Sequence, residues 1–155
     1  MLITLIAIEN HPPTWTNEGF QDYAKRLPKR YQLKLVSLPA EKRGKNAPIT
    51  AITAKEGERI LKAIPAGNQI IALDRQGIDL TTQHVATRLQ QWHDADQSIS
   101  LLIGGPEGLS PKCLEAAHQT WSLSHLTFPH PLVKVIVAEQ LYRAWSLIHN
   151  HPYHR

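Results

Sequence analysis

The chain has 155 residues, 42% of them hydrophobic, a length that supports a single domain with a sizeable core and needs no covalent staple. Its one cysteine, Cys113, excludes an internal disulfide, and no apolar run approaches the roughly 18 residues of a membrane span. The net charge is only +4 at pH 7, so placement matters more than total. Residues 2–8 form a near-continuous apolar run that reads as a first buried strand. They lack the basic leader and cleavage site of a signal peptide and meet Glu9, Asn10 and Pro12-Pro13 at once. Together with the lone cysteine this predicts a reducing, cytoplasmic setting. Residues 15–27 predict an amphipathic helix carrying Phe20, Tyr23 and Ala24, and residues 33–38 a second strand. Eight of the 17 Lys and Arg residues (Lys25, Arg26, Lys29, Arg30, Lys34, Lys42, Arg43, Lys45) fall between positions 25 and 45, where Glu41 is the only acid. Such a cluster is either a solvated basic face or a footprint for a polyanion, nucleic acid above all. The loop Lys42-Arg43-Gly44-Lys45-Asn46 favours contact, because its glycine and short polar residues let backbone and side chains approach a phosphate together.

Residues 49–64 predict a helix with Ile52, Ile60, Leu61 and Ile64 on its buried side, interrupted in helix preference only by Gly57. Residues 69–73 read as a third strand, ending at Asp74 and a turn through Gly77, and Thr81 or Thr82 caps a helix through Val85, Leu89 and Trp92. A fourth strand at 98–103, a helix at 111–119, a strand or extended loop at 122–128 and a last helix at 131–149 complete the chain. No repeat, low-complexity tract or linker interrupts it, so residues 1–155 make one domain. Strands alternating with helices predict an α/β fold, a doubly wound, mostly parallel sheet with helices on both faces.

The most informative stretch is the strand-to-helix passage through Gly104-Gly105-Pro106-Glu107-Gly108. A P-loop would need a GxxxxGK[ST] pattern and a dinucleotide loop GxGxxG, and this stretch has neither. With no lysine and with Glu107 in place, the loop suits a ligand that is cationic or neutral where it meets the backbone; a tight turn without a ligand is the alternative. Ligands of parallel sheets sit beyond the carboxyl ends of the strands, which selects Leu73-Asp74, Gly104-Gly105 and the stretch after Trp121 as segments of one pocket.

The last helix is apolar almost all round, with Lys134, Glu139 and Arg143 as its only charges, so it lies in a large core or against a second subunit. Glu139 and Arg143, spaced i, i+4, either pair with each other or leave Arg143 for substrate. The tail holds His149, His151 and His154, but Pro152 breaks the helix and no acid follows Glu139, so no metal site is expected. An aromatic, basic tail suits stacking on a base and gripping a phosphate, and a frayed terminus is the alternative. No GxSxG elbow is present, and Cys113 reads as a small buried hydrophobe. His130 is the one histidine beside the inferred pocket, either functional or a fixed turn residue.

Taken together, LLIGGPEGLSP (101–111), WSLSHLTFPHPLVKVIVAEQLYRAW (121–145), NHPYHR (150–155) and AEKRGKNA (40–47) resemble the ribosomal RNA large-subunit methyltransferase H family, a minimal branch of the SPOUT (α/β-knot) methyltransferases. The resemblance spans essentially the whole chain. It implies a doubly wound domain with a C-terminal trefoil knot, working as a homodimer without metal or membrane. It also implies methylation of N3 of a pseudouridine in 23S rRNA on the assembled ribosome, with S-adenosylmethionine as methyl donor. Carried over by position, cofactor contacts fall on Leu73, Gly104, Gly105, Leu123, Ser124, His125, Leu126, Thr127 and Phe128, with the backbone of His125 mattering more than its imidazole. Substrate contacts fall on Arg143, Tyr153, His154 and Arg155. The group that removes or stabilises the imide proton stays open among Arg143, Tyr153, His154 and His130. Two other readings predict different behaviour: an RNA-binding factor without a cofactor, and a metal enzyme built on the tail histidines.

Overall fold

The computed structural model describes residues 1–155 and shows a five-stranded, all-parallel sheet in the order β2-β1-β4-β3-β5. The strands are β1 (Leu2–Glu9), β2 (Gln32–Pro39), β3 (Gln69–Asp79), β4 (Ile99–Ile103) and β5 (Gln119–Ser122). The helices are α1 (Thr14–Ala24), α2 (Ile49–Ala63), α3 (Thr82–Asp94), α4 (Pro111–Ala116) and α5 (His130–Ile148), with short 3-10 turns at Lys29–Tyr31 and Pro152–His154.

The alternation of side chains along the central strands splits the core in two. On one face, Ile3, Leu5, Ala7, Ile99 and Leu101 pack with α1, α3 and α5 through Phe20, Leu89, Trp92, Val137 and Leu141. On the other, Ile6, Ile8, Ala72 and Leu102 pack with α2 and α4 through Ile60 and Cys113. A strand buried on both faces is apolar at most positions, which is why β1 reads as a near-continuous run broken only by Thr4 before Glu9. The expected doubly wound α/β arrangement is therefore present. Helix α5 answers its all-round apolarity by lying between α1 and α3, and Lys134 is almost fully buried. Its Nζ reaches Glu9 Oε2 at 2.7 Å and Asn17 Oδ1 at 2.5 Å, so the one charge on that side of the helix is paired inside the protein.

Several boundaries differ from the sequence reading. Helix α1 stops at Ala24 rather than 27, where Lys25 N–H closes on Gln21 O at 3.0 Å and Pro28 blocks continuation. The helix expected over 111–119 ends at Ala116, and residues 119–122 form β5 instead. Residues 123–128 are the extended loop. Strand β3 does not end at Leu73: residues 74–77 bulge out and pairing resumes, so that Leu73 and Ile78 both oppose Trp121. Gly77 lies against β5 so closely that a Cβ would stand 2.6 Å from the Trp121 carbonyl carbon. Thr81 caps α3 in a reciprocal box with His84, and Ser110 caps α4 by accepting from Cys113 N–H at 3.2 Å. Gly57 is more than a gap in helix preference, because a Cβ there would collide with the hydroxyl of Ser110 on α4.

Candidate cofactor cleft and C-terminal cluster

Beyond the carboxyl ends of β4, β3 and β5, three segments enclose a cleft of about 690 Å³. The bulge supplies Leu73, Asp74, Arg75 and Gln76; the glycine loop supplies Gly104 to Gly108; the segment after β5 supplies Leu123, Ser124, Leu126, Thr127 and Phe128. Trp121, Leu114 and Val133 complete the apolar part of the wall, and His130 stands at the start of α5. Eight of the nine positions carried over for cofactor contact thus meet in one place. His125 is the exception: its ring is 87% exposed and hydrogen-bonds outward to Asp79 Oδ2 at 3.0 Å. Leu126 is 71% exposed at the cleft, an apolar side chain held in the open.

The loop's shape follows from contacts within it. A Cβ on Gly104 would stand 2.6 Å from Gly108 O, so the loop folds back on itself, and Gly108 takes a φ of +86° that favours glycine. The lining holds two carboxylates, Asp74 and Glu107, one arginine, Arg75, and no lysine. Asp74 Oδ1 accepts from the Gln76 N–H at 2.8 Å, whereas Glu107 is held below the usual glutamate range chiefly by its hydrogen bond from Arg43. Such a lining suits a flat, apolar ring flanked by backbone donors and acceptors, with positive charge elsewhere on the ligand.

His130 Nε2 lies 2.7 Å from the carbonyl oxygen of Ile8. A carbonyl only accepts, so Nε2 carries the proton and Nδ1 of the neutral ring keeps a lone pair. The fixed-turn reading of this residue is the one the bond shows, and the same bond assigns the tautomer.

The tail residues gather elsewhere, around the C-terminal half of α5. Glu139 Oε1 accepts from Arg143 Nε at 2.9 Å and from the Tyr153 hydroxyl at 2.9 Å. The Arg143 guanidinium lies over the Tyr153 ring, 5.0 Å from its centroid, and that ring packs on Tyr142. Burial first, then the Tyr23 and Glu139 side chains, pushes the Tyr153 phenol well above its ordinary value of 10.0, so it keeps its proton. The Ser146 hydroxyl donates to Arg143 O at 2.8 Å and lies 3.2 Å from His154 Nδ1, so Nδ1–H must be the donor and Nε2 holds the lone pair. Arg155 is exposed at the end of the 3-10 turn. None of the four positions carried over for substrate contact, Arg143, Tyr153, His154 and Arg155, lines the cleft. The expected i, i+4 pairing of Glu139 with Arg143 is present, and what the sequence did not show is that the same carboxylate also holds Tyr153.

The basic cluster is also smaller in space than in sequence. Lys25 and Arg26 pair with Asp22 at 3.2 and 2.8 Å, and Arg43 pairs with Glu56 and Glu107, leaving Lys29, Arg30, Lys34, Lys42 and Lys45 without a carboxylate partner. No three His, Cys, Asp or Glu side chains converge as a metal site would require, and no helix is long and apolar enough to cross a membrane. Cys113 is buried, and burial raises its thiol, which suits packing and disfavours thiolate chemistry.

Against known proteins, the profile of a family described as predicted SPOUT methyltransferases matches residues 1–154. A ribosomal RNA large subunit methyltransferase H from Marinomonas sp. (strain MWYL1) is 51% identical over 155 residues, covering 100% of both chains. Among solved structures, a probable methylase family protein from Haemophilus influenzae Rd KW20 is similar in fold, with a TM-score of 0.55 at 14% identity over 99% of this chain and 70% of its own. With the parallel sheet and the cleft at its carboxyl edge, the match over nearly the full length settles the family: this chain belongs to the SPOUT methyltransferases.

Proposed function

We propose that this protein transfers a methyl group from S-adenosylmethionine to N3 of a pseudouridine in 23S rRNA of the assembled large ribosomal subunit. It does so as a cytoplasmic homodimer whose C-terminal part is threaded into a trefoil knot. The observation that carries the reading is the meeting of Leu73, Gly104, Gly105, Leu123, Ser124 and residues 126–128 in one cleft that has two carboxylates, one arginine and no lysine. That lining fits an adenosine bearing a sulfonium and an ammonium. The relative from Marinomonas, named for large-subunit rRNA, supports the substrate class.

When bound, S-adenosylmethionine supplies an already activated methyl group, so the protein's work is alignment, exclusion of water and handling of one proton. Leu73, Leu126 and Phe128 would enclose the adenine faces while backbone groups of the glycine loop and of residues 123–128 read its edges. Asp74, which has no cationic partner, is placed for the positive part of the ligand. The imide must lose its proton at or before transfer. Tyr153 holds its own proton and Arg143 has no lone pair to accept one, so the basic nitrogens are His130 Nδ1 and His154 Nε2. Arg143 is left to stabilise the imide anion.

Arg143 lies 13 residues after His130 on α5, which at 1.5 Å per residue is about 20 Å along the helix. One chain therefore separates its cleft from its tail, and a second copy supplying the tail is the arrangement we infer. Transfer of labelled methyl from S-adenosylmethionine to ribosomes lacking this modification tests the reading, with free 23S rRNA as a parallel substrate. Label on one pseudouridine of the ribosome is expected. Cofactor binding without transfer would overturn the substrate, and salt-dependent RNA binding without cofactor binding would replace the enzyme by an RNA-binding factor.

A further inference from the structure

Arg43 belongs by sequence to the basic loop, yet its guanidinium turns inward. Nε donates to both carboxylate oxygens of Glu107 at 3.0 Å, and one terminal nitrogen reaches Glu107 Oε2 at 2.5 Å and the two Glu56 oxygens at 3.4 and 3.3 Å. The other terminal nitrogen donates to the carbonyl of Glu41 at 2.8 Å. Glu56, on α2, is 2% exposed and accepts the Glu41 N–H at 3.0 Å as well. Its only cationic partner is Arg43. A carboxylate so deeply buried is tolerated when it is paired and hydrogen-bonded, and here both conditions are met by the basic loop.

This bridge passes directly over Gly105. A Cβ there would stand 2.8 Å from Glu56 Oε1 and 3.0 Å from the Arg43 terminal nitrogen, so a larger residue at that position would have to displace the ends of these two side chains. Within the loop itself, the tie between Gly105 and Gly108 is a single turn, Gly108 N–H to Gly105 O at 2.9 Å. Residues 104–108 line the cleft, so the bridge backs the cleft wall.

We propose that Arg43, held by Glu56 and gripping Glu107, is a positioning residue for the cofactor loop and is not one of the phosphate contacts of the basic surface. This rests on the methyltransferase reading above. By the same bonds the loop carrying Lys42 and Lys45 is fixed beside the cleft, which couples placement of the substrate surface to the shape of the cofactor site. Lysine reproduces the arrangement poorly, because its ammonium is one point, whereas the guanidinium holds three nitrogens apart, one on Glu107, one between Glu107 and Glu56 and one on the Glu41 carbonyl.

The test measures S-adenosylmethionine affinity by calorimetry for the full-length wild type, Arg43→Ala, Arg43→Lys, Glu107→Gln and the Arg43→Ala/Glu107→Gln double variant. Binding to isolated large ribosomal subunits is followed as a function of salt. We expect cofactor Kd to rise about tenfold or more in Arg43→Ala, less in Arg43→Lys, with the double variant no worse than Arg43→Ala alone. The slope of ribosome affinity against salt stays unchanged. A phosphate contact would do the reverse, leaving cofactor Kd alone and lowering the slope by about one. Additive losses in the double variant would make Glu107 a direct ligand contact and overturn the proposal. Glu107→Gln leaves the Arg43–Glu56 pair intact and so stays informative if Arg43→Ala fails to fold. Wild type that binds no S-adenosylmethionine would sink the methyltransferase reading and this proposal with it; wild-type binding matched by Arg43→Ala would sink the proposal alone.

Discussion

His130 gives its Nε2–H to Ile8 O, and that one bond decides what the residue can do. Glutamine can make the same bond through its side-chain amide but offers no basic nitrogen. His130→Gln should therefore lower kcat by about a hundredfold or more while cofactor Kd, measured separately, changes less than about twofold. Equal loss in both would reduce His130 to a structural turn. Tyr153 makes an independent point through its raised phenol. A protonated phenol favoured by the fold contributes stability that is complete below the ordinary value of 10.0 and is lost as pH rises above it. Burial raises the Tyr31 phenol as well, so ultraviolet titration should show late-ionising tyrosine, and Tyr153→Phe should remove one tyrosine's share of that late change and leave the share of Tyr31. Both readings needed the atoms around each ring, since the sequence offers only a histidine between prolines and a tyrosine near the end of the chain.

Elements meet through a few contacts that sequence patterns do not report. Strand β1, α1 and α5 are joined by Lys134, Glu9 and Asn17, whose partners lie 125 and 117 residues apart along the chain. Lys134→Met leaves Glu9 buried and unpaired and should cost about 3–5 kcal/mol, read from the midpoint of urea unfolding. Glu9→Leu/Lys134→Met removes both charges and should recover much of that loss. Helices α2 and α4 approach at Gly57, where Gly57→Ala drives a methyl into the Ser110 cap. Despite alanine's better helix preference, this substitution should destabilise by about 1–3 kcal/mol in the same assay. The misplacement of α4 and β5 has a similar origin. Residues 117–123 contain no glycine or proline to mark the change, and a four-residue strand is too short for its alternation to stand out.

The whole molecule sets the candidate cleft at the start of α5 and gathers the tail cluster along that helix's C-terminal half. If a second copy closes that gap, activity should be recoverable in mixed dimers. Gly104→Val disables the cleft, because its side chain would enter the space of Gly108, and truncation after Asn150 removes the tail. Each alone should be inactive, while co-expressed chains should regain about a quarter to a half of wild-type transfer, on the principle that a mixed dimer retains one intact composite site. Mixed dimers that stay inactive would place the tail's role within its own chain. Truncation also removes the Tyr153 ring from its packing against Tyr142 and its hydroxyl from Glu139, so thermal stability should fall as well.

Alternating strands and helices, the burial of β1, a cap at Thr81 or Thr82 and the glycine loop at the end of β4 were all legible in the amino-acid order. They depend on neighbours within one turn or one strand, and such neighbours repeat with a period. The cleft was legible for the same reason, since parallel strands deliver their carboxyl ends to one edge. The partners of the remotely paired charges were not. Arg43 lies 64 residues from Glu107, and Lys134 lies 125 residues from Glu9. The roles of His130 and Tyr153 rest on a carbonyl and a carboxylate brought from elsewhere in the chain. Ion pairs and tautomers are set by distance in space, and distance in space between remote residues exists only once the sheet has assembled.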